Sequence, residues 1–126
     1  MSLQHSKIAT RLPTTDLERA RAWYADKLGL EPVDERPGGL LYRVGGSDFA
    51  LFASSGRASG DYTQMAFEVA DLDATIAELE ARGVVFEYDG IVEVEGNYPS
   101  KHASGERAVW VRDSEGNLLG IGQPVR

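Results

Sequence analysis

Few side chains in this chain of 126 residues have chemistry suited to a small molecule, and their spacing assigns them partners. Arg11 carries a planar fork that can hold a carboxylate or a phosphate. Gln64 can orient a carbonyl through its amide. Glu68 is a candidate general base if burial raises its pKa, whereas a structural pair with Arg11 would oppose that shift. His102, beside Lys101 and near Tyr98, is the one imidazole outside the N-terminal tail, where His5 lies. It is either an acid/base group or a solvated loop residue. Tyr42, Phe52 and Trp110 offer ring faces for a planar ligand, with burial in a core as the competing role.

The elements that must position these residues occur twice. Asp16-Leu17-Glu18-Arg19-Ala20 opens an amphipathic run ending at Leu28-Gly29-Leu30, and Asp71-Leu72-Asp73-Ala74 opens another ending at Arg82-Gly83-Val84. The first helix carries Leu17, Ala20, Trp23 or Tyr24, and Leu28 on one stripe, with Thr15 or Asp16 as its cap. The second carries Leu72, Ile76 and Leu79. Strands are expected at Lys7 to Leu12, Leu30 to Val33, Leu40 to Val44, Phe49 to Ala53, Gln64 to Val69, Val84 to Tyr88, Ala108 to Arg112 and Asn117 to Gly122.

The helices repeat at an offset of 71 − 16 = 55 and the hairpins at 108 − 40 = 68. The difference is an insertion between Tyr88 and Arg107, rich in Gly, Pro, Asn and Ser, that reads as a lid. Module one spans about 6–55, a small-residue linker about 56–62, and module two about 63–124 of one domain. Two strand-helix-strands modules imply an α+β fold with a cleft between halves.

Strand alternation sorts the faces. Ile8, Leu12, Met65, Phe67, Val69, Val109, Val111, Leu119 and Ile121 form the face that packs the helices. Ala9, Arg11, Gln64, Ala66, Glu68, Trp110, Leu118 and Gly120 lie opposite, joined through the hairpin offset by Tyr42, Ala50, Phe52 and Ser54. That mixed aromatic, small and polar face suits a ligand.

Composition narrows the classes. A net charge of −7 argues against nucleic acid, which needs clustered cations. No apolar run is long enough for a membrane span, and no secretory leader is evident, so a cytoplasmic location is expected. With no cysteine, disulfides, thiolate metal sites and cysteine nucleophiles are excluded. No phosphate-binding glycine loop or serine elbow occurs.

The chain resembles the vicinal oxygen chelate superfamily, the glyoxalase/bleomycin-resistance/extradiol-dioxygenase group. Leu12-Pro13-Thr14-Thr15-Asp16-Leu17-Glu18-Arg19-Ala20, Trp23-Tyr24 with Leu28-Gly29-Leu30, Ala66-Phe67-Glu68-Val69 with Asp71-Leu72-Asp73, and Arg112-Asp113-Ser114-Glu115-Gly116-Asn117-Leu118 carry the resemblance. It implies tandem βαβββ modules, a curved mixed sheet around a cleft, and a homodimer. Metal-dependent members hold a divalent ion as Lewis acid through His, Glu or Gln. Counted from these motifs, the four ligand positions are Ala9, Gln64, Phe52 and Gly120. Three have no donor, so no metal and no cofactor is expected. The expected function is binding of a small organic molecule, anionic or aromatic, through Arg11, Tyr42, Phe52, Gln64 and Trp110. The alternative is a lyase, isomerase or dioxygenase-like enzyme, metal-free with Glu68 and His102 or unusually ligated.

Overall fold

A computed structural model describes residues 3–6, 8–54, 62–95 and 105–125. Each half runs strand, helix, three strands. The first comprises β1 (Thr10–Thr14), α1 (Leu17–Trp23), β2 (Asp34–Arg36), β3 (Gly39–Val44) and β4 (Ser47–Ala53). The second comprises β5 (Met65–Glu68), α2 (Leu72–Ala81), β6 (Glu87–Glu95), β7 (Gly105–Arg112) and β8 (Leu118–Val125). They form two four-stranded mixed sheets, ordered β1-β4-β3-β2 and β5-β8-β7-β6. In each, the first strand pairs in parallel with the last and the remaining pairs are antiparallel. Among the described residues no helix is long and apolar enough to cross a membrane.

The repeat extends to local chemistry. Asp16 and Asp71 cap the two helices from extended backbone, each carboxylate accepting a 3.0 Å bond from the amide three residues on. After Trp23, α1 widens into a π turn over Tyr24–Leu28, and Gly29 closes it at φ +69°, where a side chain would be strained. The helix ends are cross-linked reciprocally. Lys27 Nζ donates to the Arg82 carbonyl and an Arg82 Nη1 donates to the Asp26 carbonyl, both at 3.2 Å. Cations thus sit where helix carbonyls lack partners.

The core lies between helices and sheets. Leu12, Leu40, Phe49 and Leu51 from the first sheet and Val109, Val111, Leu119 and Ile121 from the second meet Ala20, Tyr24, Leu72 and Leu79 of the helical segments. Tyr42 stacks on Phe49 at 4.8 Å, Tyr24 tilts against both, and Phe67 meets Phe49 edge-on at 6.3 Å. One aromatic column therefore joins the modules. Ile8, expected on this face, is 92% exposed, because β1 starts only at Thr10, where β4 begins to pair with it.

Two other strands differ from expectation. β2 is polar Asp34–Arg36 rather than Leu30 to Val33, since pairing with β3 runs up to the turn at Pro37-Gly38. β6 starts at Glu87 and continues through Glu95, so much of the expected lid is hairpin strand, and 96–104 lies outside the described residues. Most of the expected linker also lies outside them.

The two most specific sequence motifs touch one another. Asp113 is buried, and its two oxygens accept from the Tyr24 hydroxyl (2.7 Å), the Glu115 and Asn117 amides (2.8 and 2.9 Å) and Asn117 Nδ2 (2.9 Å). Asn117 Nδ2 also reaches the Pro13 carbonyl at 3.1 Å. Glu115, its side chain fully enclosed, takes a two-point contact from Arg19 at 2.8 and 2.9 Å and a 3.0 Å bond from the Thr15 amide. The β7–β8 turn thereby clamps the start of α1, fixing one sheet against the other.

Tyr42 contributes an expected result of its own. Its hydroxyl is buried without a hydrogen-bond partner among the described residues, and burial pushes its pKa up to about 12. An unpaired buried hydroxyl costs about 1–3 kcal/mol. Tyr42→Phe should therefore leave stability unchanged or raise it by roughly 1 kcal/mol in urea titration, whereas a loss of that size would reveal a partner for the hydroxyl.

Candidate functional site

On the face away from the helices, register decides which side chains meet. Arg11 pairs with Ala50, and Ala50 with Leu41; in the second sheet Ala66 pairs with Gly120, and Gly120 with Trp110. Arg11 and Ala66 are 66 − 11 = 55 apart, so Leu41 is the mate of Trp110, and Ala50 that of Gly120. Two expectations change. Tyr42 is on the helix-packed face, 1% exposed, and presents no surface to a ligand. Phe52 lies two residues beyond the equivalent position, paired with Gly39 and Pro13.

The cause is turn geometry. Gly45-Gly46, both at positive φ, makes a two-residue turn pairing Val44 with Ser47, whereas Asp113 and Asn117 bracket three residues. The extra residue defeats a single offset, and an error of one residue reverses a strand's face. Counting outward from each turn would have found Leu41.

Ala9, Arg11, Leu41 and Ala50 line a groove of about 300 Å³ over the first sheet, with Gly39, Asp34, Arg36, Asp48 and Phe49 at its margins. This volume reaches the lower end of the range for small-molecule pockets. Arg36 pairs with Asp34 at 3.1 Å and Arg43 with Asp48 at 2.9 Å. Arg11 has no hydrogen-bond or ion-pair partner among the described residues, and the pair with Glu68 is not formed. The apolar floor with one uncompensated guanidinium is suited to an anion carrying an organic body.

Glu68 is exposed and lines a second groove of about 410 Å³ with Met65, Ala66, Phe67, Val44 and Ser47. On the second sheet Trp110 Nε1 donates to Thr63 Oγ1 at 2.9 Å, and Tyr88 meets the indole edge-on at 5.8 Å. Tyr88 has φ +62° where the β6 register slips against β7. A Cβ on Gly120 would lie 3.4 Å from Trp110 Nε1, Thr63 Cγ2 and Ala66 Cβ, so the missing side chain lets the indole settle there. Gln64 is half-buried, its Oε1 accepting from the Leu118 amide at 3.3 Å. His102 lies outside the described residues.

The donor set does not fit a divalent ion. The four positions become Ala9, Ala50, Gln64 and Gly120, in which the only donor is a neutral amide turned toward backbone. Among the described residues no group of three or more His, Asp or Glu could hold a metal. Among the described residues, the groove lined by Ala9 and Ala50 includes nothing from the second module.

Two βαβββ modules sharing one core, each with its first strand parallel to its last, define a protein of the glyoxalase fold class. The sequence model of the Glyoxalase/Bleomycin resistance protein/Dioxygenase superfamily matches residues 5–121, and the chain belongs to that superfamily. A glyoxalase/bleomycin resistance protein/dioxygenase from Alicyclobacillus acidocaldarius superposes with a TM-score of 0.74 at 18% identity, covering 100% of this chain and 96% of that one. A virulence protein from Salmonella typhimurium gives 0.71 at 20% identity, covering 95% and 98%. Lactoylglutathione lyase from Agrobacterium tumefaciens gives 0.65 at 23% identity, covering 94% and 92%. These likenesses concern the fold. No curated protein matches the sequence.

Proposed function

We propose that this protein binds a small organic anion in the groove over the first sheet, with Arg11 holding a carboxylate or phosphonate and Ala9, Leu41 and Ala50 receiving its apolar part. The supporting observation is the Arg11 guanidinium, without a partner among the described residues, in a groove lined by Ala9, Leu41 and Ala50. Where metal-dependent relatives need donors, this groove offers methyl groups, which favours binding over metal-assisted turnover. Trp110 and Tyr88 add an aromatic surface on the other sheet. A homodimer in the cytoplasm belongs to this proposal, with exposed Tyr88, Ile91 and Val92 of edge strand β6 as apolar surface for a second copy to cover.

Calorimetry with benzoate and phenylphosphonate tests the reading. Hydrogen bonds to charged groups contribute about 1.5–3 kcal/mol, so Arg11→Ala should weaken binding roughly tenfold or more. Arg11→Lys should fall between, keeping the charge and losing the fork. Equal affinities for all three proteins would overturn the assignment.

A further inference from the structure

Strand register sets a row of four side chains across the open face of the first sheet. Arg11 of β1 pairs with Ala50 of β4, Ala50 with Leu41 of β3, and Leu41 with Asp34 of β2. Paired residues on neighbouring strands point to the same side of a sheet, and all four line the groove of about 300 Å³. The row therefore reads guanidinium, methyl, isobutyl, carboxylate. With strands about 4.8 Å apart, its two ends lie roughly 14 Å from one another along the sheet. Asp34, at the far end, has acceptor capacity to spare. One of its oxygens accepts from the Glu35 amide at 2.9 Å and the other from Arg36 Nε at 3.1 Å, which leaves about half of the carboxylate's acceptor positions open. We propose that the groove takes a hydroxy acid, a molecule whose carboxylate lies on Arg11, whose apolar body crosses Ala50 and Leu41, and whose hydroxyl donates to Asp34. This inference rests on the anion-binding reading of Arg11 and adds the group at the opposite end.

The charges beside Asp34 decide which chemical group suits that end. An apolar end would strip water from the carboxylate without replacing its hydrogen bonds. A second carboxylate would meet Asp34 with like charge. An ammonium would face the Arg36 guanidinium, which already sits 3.1 Å from the same carboxylate. A hydroxyl carries no charge and donates one hydrogen bond, so it replaces the displaced water without either repulsion. Between the ends, Ala50 contributes only a methyl group, which leaves room for a flat apolar body to lie across the row.

The probes are 4-hydroxybenzoate, 4-hydroxyphenylacetate and 3-(4-hydroxyphenyl)propionate, which cover three spans. Each is set beside its parent without the hydroxyl and beside the analogue with a carboxylate in that place. Calorimetry uses the full chain and its Arg11→Ala and Asp34→Ala variants, with thermal melts to verify folding. At least one hydroxy acid is expected to bind about tenfold more tightly than its parent, and Asp34→Ala to abolish that preference. In Asp34→Ala the Arg36 guanidinium also loses its partner, so the dicarboxylate should overtake the hydroxy acid. If hydroxy acids and parents bind alike and both weaken with Arg11→Ala, the hydroxy-acid inference fails and the anion reading stands. A hydroxyl preference that survives Asp34→Ala overturns Asp34 as its acceptor. Binding indifferent to Arg11→Ala overturns both readings, as does absence of binding across the whole series.

Discussion

Asp113→Ala is expected to destabilise the protein by about 3–5 kcal/mol, the largest effect of any single substitution outside the hydrophobic core. Four donors converge on this buried carboxylate, two on each oxygen. Its removal leaves the Tyr24 hydroxyl enclosed without an acceptor and releases both amides that shape the β7–β8 turn. Burial and the neighbouring Asp113 carboxylate raise the Tyr24 pKa far above its ordinary value, so the phenol remains a donor throughout the working pH range. Tyr24→Phe alone should cost about 1–3 kcal/mol, and the double variant less than the sum, because both act on one bond. Urea unfolding of the four proteins checks this. A cost below roughly 1 kcal/mol for Asp113→Ala would show that the turn is held by other contacts.

The second large effect is a loss of stability in acid centred on Glu115. Hydrogen bonding from Arg19 leads the causes that hold its carboxyl at about 2, against an ordinary value of 4.5, with bonds from Thr15 and Ser114 adding to it and burial opposing. The folded state therefore prefers the ionised form. This stabilisation is complete above pH 4.5 and disappears as the pH falls to about 2, when the folded carboxyl itself takes a proton. The clamp between turn and helix then loses its charge, and the melting temperature should fall steeply across that interval. Glu115→Gln should be less stable at neutral pH and show a flatter profile below pH 4.5, since the amide has nothing to titrate. A wild-type profile no steeper than that of Glu115→Gln would refute the assignment. Arg36 also holds Asp34 below its usual value, but that pair is exposed and adds little.

These two carboxylates show why the family motifs were legible while the site was only partly so. Thr15, Asp16, Arg19 and Tyr24 in one motif and Asp113, Glu115 and Asn117 in the other have fixed spacings because each set closes a local turn or caps a helix. Their approach across about a hundred positions of chain is a tertiary event, and the sequence carried it only as a resemblance. Arg11 and Glu68 were correctly placed on the open faces by alternation alone, since both belong to strands whose offset is undisturbed. Tyr42 was misplaced because the single hairpin offset of 68 falls one short of the 69 (110 − 41) that strand register gives β3, and an error of one residue turns a strand's side chains over.

The sequence by itself determined the two modules, the capping aspartates and the helix-packed faces of β5, β7 and β8, because each depends on residue type and short-range spacing. The tertiary structure decided whether Arg11 and Glu68 neutralise one another, which alanine mates with Gly120, and which hydroxyl Asp113 would receive. Those outcomes depend on turn length, strand register and the docking of one sheet beside the other. Docking of this kind arises from packing over long separations, which no local pattern in a single sequence encodes, whereas turn length is local and acts through the strand register it sets.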